Sequence, residues 1–153
     1  MTLLERAEQA VLWGAPPIRA LTVRQPFADA IIHGAKRTEN RTQRAPRKSL
    51  GQTILIHAGK EPHASGVVAA DFTHDKWPDT RGAIIGIAKL TGCHPESGDC
   101  CVPWGMTGCW HWELSDVTAL AKPVPATGML GLWTPPDDVL AAVQNQLVAG
   151  VDA

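Results

Sequence analysis

Apolar residues change their spacing several times along this chain, and each change marks an element. Leu3, Leu4, Ala7, Val11 and Leu12 recur at helical spacing behind Thr2-Leu3-Leu4-Glu5, which has the form of a capping box, so a helix is expected over residues 2–13. Ala15-Pro16-Pro17 ends it, and Ile18 to Val23 alternates as a strand does. Gln25-Pro26 resets the backbone for a two-turn helix with Phe27, Ala30 and Ile31 on one face, stopped at Gly34. Arg37 to Thr42 reads as extended, because Thr38, Asn40 and Thr42 are poor helix formers and no apolar stripe continues. A basic loop over 43–51 leads to the buried-type strand Thr53 to His57, and a weak helical pattern covers 61–72.

Ala83 to Leu90, AIIGIAKL, is the strongest strand pattern, and Gly86 at its middle points to a bulge or a close backbone approach. After a loop over 91–108 rich in glycine, cysteine and proline, Cys109 to Leu114 alternates, with Trp110, Trp112 and Leu114 opposite Cys109, His111 and Glu113. Met129 to Trp133 is a further strand. Thr134-Pro135-Pro136-Asp137 starts a last helix over 135–149, with Val139, Leu140, Val143 and Leu147 as its stripe and Gly150 closing it. The expected architecture is α+β: a small β-barrel of about six mainly antiparallel strands with flanking helices at both termini, closed so that strand edges are not exposed.

A chain of 153 residues suits a single domain over 1–153 with its core in 18–133. Its 44% hydrophobic and 19% charged residues are globular proportions, and no apolar run nears the roughly 20 residues needed to span a bilayer, so no membrane partner is expected. The first residues carry Glu5 and Glu8 and no basic region of a secretory signal, which favours the cytoplasm. A net charge of -1 hides an uneven distribution. Residues 19–60 hold nine bases against two acids, a balance of +7, while 61–153 hold four against eleven, a balance of -7. Such a basic segment is the footprint of phosphates or another anionic partner, unless folding pairs the two halves across the surface.

The densest part of that segment is Gly34-Ala35-Lys36-Arg37-Thr38-Glu39-Asn40-Arg41. On a strand Glu39 and Arg41 share a face, and Lys36 swings over it from the turn. Glu39 can then accept from a cytosine or adenine amino group while Arg41 holds a phosphate; the alternative is an ion-pair cluster that fixes the turn. Arg24 and Lys48 extend this set as phosphate contacts. His57, at the end of its strand, is either an acid-base group or a satisfied histidine of the core or rim. The loop tryptophans Trp77 and Trp104 either stack on bases or cap an apolar edge, while Trp110, Trp112 and Trp133 read as core.

Cys93, Cys100, Cys101 and Cys109 fall close to His94 and His111. The spacing Cys-x6-Cys-Cys-x7-Cys departs from the paired knuckles of structural zinc sites, so free thiols packed as small apolar groups, or one disulfide formed only on oxidation, are expected, with no metal and no cofactor.

Gly34-x-Lys36-x-x-Glu39-x-Arg41 resembles the GxKxxExR signature of the ASCH family, a branch of the PUA-like β-barrels. Leu21-Thr22-Val23-Arg24-Gln25-Pro26-Phe27-Ala28 before it, and Ile54 to Ala58 and Pro125 to Trp133 after it, resemble the same family's strands. The resemblance implies a cleft that faces RNA or a nucleotide, with Lys36, Glu39 and Arg41 in it. It also implies hydrolase relatives, among them small amidohydrolases of acetylated cytidine whose nucleophile is a threonine where this chain has Glu39, and a carboxylate does not replace a hydroxyl nucleophile. The expected function is therefore RNA or modified-nucleotide binding by a basic cleft. The alternative is a small hydrolase acting on RNA or on an acylated nucleoside, with Lys36 and Glu39 as its catalytic residues. A weaker third possibility is a module whose basic segment meets an acidic protein.

Overall fold

Among the described residues there are six strands and two helices: β1 (Arg19–Val23), α1 (Phe27–Ile32), β2 (Thr38–Arg41), β3 (Thr53–Ala58), β4 (Ala83–Pro95), β5 (Trp110–Pro125), β6 (Leu132–Trp133) and α2 (Asp137–Val151), with a 3-10 turn at Arg47–Ser49. They are taken from a computed structural model that describes Thr2, Glu5 and residues 17–63 and 76–151. The strands form one mixed sheet in the order β2-β5-β4-β3-β1-β6, curled into a half-barrel. β1 runs parallel to β3, and the other four pairings are antiparallel. The helices expected over 2–13 and 61–72 lie mostly outside the described residues. At the start of the first, the Thr2 amide donates to Glu5 Oε2 at 2.8 Å and the Glu5 amide to Thr2 Oγ1 at 3.0 Å, the reciprocal pair of a capping box.

Alternation along the strands sorts the core into two layers. Leu21, Val23, Ile54, Ile56, Leu90, Trp112 and Leu114 pack with Ile31 and Ile32 of α1, while Ala20, Leu55, Ile84, Leu120, Val124 and Trp133 pack with Val139 and Val143 of α2. Helix α1 is fastened at its start by Gln25, whose Oε1 accepts the Asp29 amide at 3.0 Å and whose Nε2 donates to the Thr80 carbonyl at 2.8 Å. Gly86 is the close approach its position suggested: a Cβ there would lie 2.5 Å from Ile32 Cδ1 and 2.6 Å from the Thr118 carbonyl oxygen, and the register slips beside it in both neighbouring ladders.

Several boundaries differ from the sequence pattern. β5 runs on to Pro125 instead of stopping at Leu114, and β4 runs on to Pro95. The β4–β5 ladder slips between Ile84 and Gly86, Ile87 and Lys89, and Leu90 and Gly92. Each slip changes which residues face inward, so no clean alternation survives over Ser115 to Pro125. The last helix passes through Gly150, which does not close it, and β6 is two residues long where five were expected.

Candidate functional site

Because side chains alternate along a strand, β2 has two working faces. Glu39 and Arg41 look toward α1 and β1, and Thr38 and Asn40 look the other way, toward the loop between β4 and β5. The first face floors a cleft of about 800 Å³ at the seam between the two ends of the sheet, walled by Phe27, by Pro103, Trp104 and Met106, and by Thr127 to Gly131.

Lys36 is 2% exposed. Its Nζ donates to the Thr38 carbonyl, stands 4.0 Å from Glu39 Oε1, and lies 5.3 Å from the Phe27 ring centre and 5.5 Å from that of Trp104. Burial pushes this amine below the usual lysine range, with Glu39 opposing the shift and Arg41 adding to it. Glu39 accepts the Asn40 amide on Oε1 at 3.1 Å and Arg41 Nη2 on Oε2 at 2.9 Å. The same Nη2 donates to the Thr22 carbonyl at 2.8 Å, so Arg41 ties β2 to β1 across the seam, and its Nε is buried without a hydrogen bond. Around this trio the cleft carries Arg24, Lys60 and Glu61, making four Lys and Arg against two acidic side chains among its described lining residues.

His57 also borders the cleft, but both ring nitrogens are engaged. Nε2 lies 2.7 Å from the Ala126 carbonyl oxygen and Nδ1 lies 3.2 Å from Thr22 Oγ1, which accepts Trp133 Nε1–H at 3.0 Å. One assignment satisfies every group: the indole donates to the hydroxyl, the hydroxyl to Nδ1, and Nε2–H to the carbonyl. Burial lowers the histidine's pKa, opposed by the Ala126 bond, and the neutral ring fits this chain of donors. His57 is thus a satisfied histidine of the cleft floor.

The family model of the ASCH domain matches residues 21–123, from the second half of β1 almost to the end of β5. The chain belongs to the ASCH domain family. Crystal structures of an ASCH protein from Zymomonas mobilis are similar to it. One is 18% identical, covers 86% of this chain and 93% of that one, and has a TM-score of 0.48; a tyrosine-to-phenylalanine mutant is 18% identical, covers 86% and 96%, and has a TM-score of 0.49. No curated protein matches the chain.

In this ASCH domain Arg24, Lys36, Glu39, Arg41 and His57 come together at the cleft, whereas Lys48 and Trp77 do not line it. The loop carrying Lys48 is drawn to the body of the sheet: the Gly51 amide donates to the Leu90 carbonyl at 2.7 Å, Trp112 Nε1–H to the Gln43 carbonyl at 3.0 Å, and the Ala45 amide to Cys93 Sγ at 3.3 Å. Trp77 packs against Gly34, where a Cβ would meet its ring at 2.7 Å, and Asp79 in the same segment donates its amide to Asp29 of α1 at 2.9 Å. Of the two loop tryptophans, Trp104 is the one that lines the cleft. Lys60 and the exposed apolar rim of Met106, Met129 and Leu130 escaped the sequence reading. Their signal was slight: a lone lysine after a strand, and three apolar residues in segments read as loop or strand.

Proposed function

We propose that this ASCH domain binds single-stranded RNA or a modified nucleotide in the seam cleft. The observation that carries this reading is the setting of Lys36, an almost fully buried ammonium between the Phe27 and Trp104 rings and beside the Glu39–Arg41 pair. Aromatic walls suit a base inserted flat, and a carboxylate flanked by two cations suits its polar edge. Arg24 and Lys60 at the mouth suit the phosphates, while the rim of Met106, Met129 and Leu130 suits a neighbouring base or sugar. A depressed lysine beside a carboxylate also favours a second reading, a hydrolase of acylated nucleosides or RNA with Lys36 as base and Glu39 as its partner. Two hydroxyls beside the trio are not placed to serve it as nucleophiles: Thr22 is committed to His57 and Trp133, and Thr38 faces away.

Titrating short single-stranded RNAs and free modified nucleosides into the protein at several salt concentrations tests both readings. Binding that weakens steeply with salt and falls for Trp104→Leu by about 1–3 kcal/mol is expected. Absent or salt-insensitive binding would sink the first reading. Turnover of N4-acylated cytidine or RNA that disappears in Lys36→Met would install the second.

A further inference from the structure

The other face of β2 meets a second cluster of chemistry-bearing side chains. His94 and His111 sit directly opposite each other on β4 and β5, with ring centres 5.3 Å apart. The loop joining those strands folds back so that Cys100 Sγ lies 3.4 Å from His111 Nδ1 and Cys101 Sγ lies 3.3 Å from His94 Nε2. The four side-chain atoms all lie within 4.8 Å of one another. Two consecutive residues normally point apart; Cys101 has a φ of 61°, and this left-handed turn lets its sulfur converge with that of Cys100.

We propose that His94 Nε2, Cys100 Sγ, Cys101 Sγ and His111 Nδ1 form a tetrahedral Zn²⁺ site. Zinc with Zn–S near 2.3 Å and Zn–N near 2.0 Å needs nitrogen-to-sulfur edges of about 3.5 Å, close to the 3.4 Å and 3.3 Å of these two pairs. Each imidazole is also held as a ligand should be. His111 Nε2 lies 2.8 Å from the Met106 carbonyl oxygen and His94 Nδ1 lies 2.9 Å from that of Pro95, so each carbonyl takes the ring's N–H and leaves the other nitrogen's lone pair facing the centre. Two thiolates and two neutral imidazoles give the loaded centre zero net charge, which suits a place where His111 is fully buried. Glu113 Oε1, 3.3 Å from His94 Nε2 and well exposed, adds negative potential from the solvent side.

The loop this ion would close is the one that supplies Pro103, Trp104 and Met106 to the cleft, and Asn40 already grips it by donating to the Trp104 carbonyl and accepting the Met106 amide, both at 2.8 Å. The metal's role is structural: with four protein ligands no position is left for substrate.

Metal analysis of the purified full chain and titration with Co²⁺ after chelation test the site without reference to RNA. One zinc per chain is expected, with one equivalent of Co²⁺ giving the thiolate charge-transfer and intense d–d bands of a tetrahedral sulfur site that Zn²⁺ then displaces. Cys101→Ser and His111→Ala should lose those bands, while Cys93→Ser and Cys109→Ser keep them. In the unmutated protein, zinc should protect two of the four thiols from a disulfide reagent, and chelation should release them. Weak octahedral cobalt bands, equal loss in the Cys93 and Cys109 variants, or a Cys100–Cys101 disulfide in fresh protein without bound metal would each overturn the proposal.

Discussion

Lys36 Nζ and Glu39 Oε1 stop 4.0 Å apart, because the amine leans on the Thr38 carbonyl and the carboxylate on Arg41. Glu39 therefore compensates two cations, and neutralising it leaves Lys36 charged in a buried place. Glu39→Gln should cost about 3 kcal/mol of folding stability, whereas Lys36→Met, which keeps the Glu39–Arg41 pair, should cost less. Urea unfolding of the two variants checks this, and the reverse ordering would show that Glu39 does not serve both cations.

His57 gives the fold a dependence on acid. Its folded pKa is below the ordinary value of 6.5 because burial disfavours the charged ring, so below pH 6.5 the unfolded chain takes up a proton that the folded one refuses. Its stabilising contribution is complete above pH 6.5 and declines as pH falls toward the depressed value. Thermal melts of wild type and His57→Gln, taken from pH 6.5 downward, should show a shallower loss in the variant. Parallel curves would remove His57 as the source.

The signature glycine is needed for room rather than for backbone freedom. A Cβ on Gly34 would stand 2.8 Å from the Ala30 carbonyl oxygen as well as against Trp77, and the carbonyl cannot swing aside. Gly34→Ala should destabilise the domain by about 1–3 kcal/mol and alter Trp77 emission. An unchanged melting temperature would mean that the end of α1 yields freely.

Two lysines from the basic segment separate sequence proximity from spatial placement. Lys60 lines the cleft and Lys48 does not. Lys60→Ala should weaken RNA binding and flatten the slope of log affinity against log salt by about 1, while Lys48→Ala leaves the slope unchanged. Equal effects would mean that RNA tracks the Arg47–Ser49 turn as well.

The sequence was most readable where one element carries one periodicity. β1, β3 and the first half of β4 are buried strands framed by turns, and the pairing of Glu39 with Arg41 on one face of β2, with Lys36 reaching over from the turn, follows from a strand's two-residue repeat. The bulged second half of β5 was not readable, because three register slips scramble its phase. The Cys–His cluster was hidden for a different reason: spacing along the chain cannot show that His94 and His111 become cross-strand neighbours, nor that a left-handed Cys101 turns its thiol inward. Trp77 and Trp104 look alike as loop residues, and only the partner each loop finds, α1 for one and β2 for the other, tells them apart.

Arg41 closes the half-barrel with a side chain where another fold would use a ladder of backbone bonds. A ladder shares its load among many bonds and yields all at once; here one guanidinium nitrogen holds both the carboxylate of its own strand and the carbonyl of the opposite one. Removing that one guanidinium therefore severs both attachments together, and the strands on either side of the seam lose the side-chain link between them.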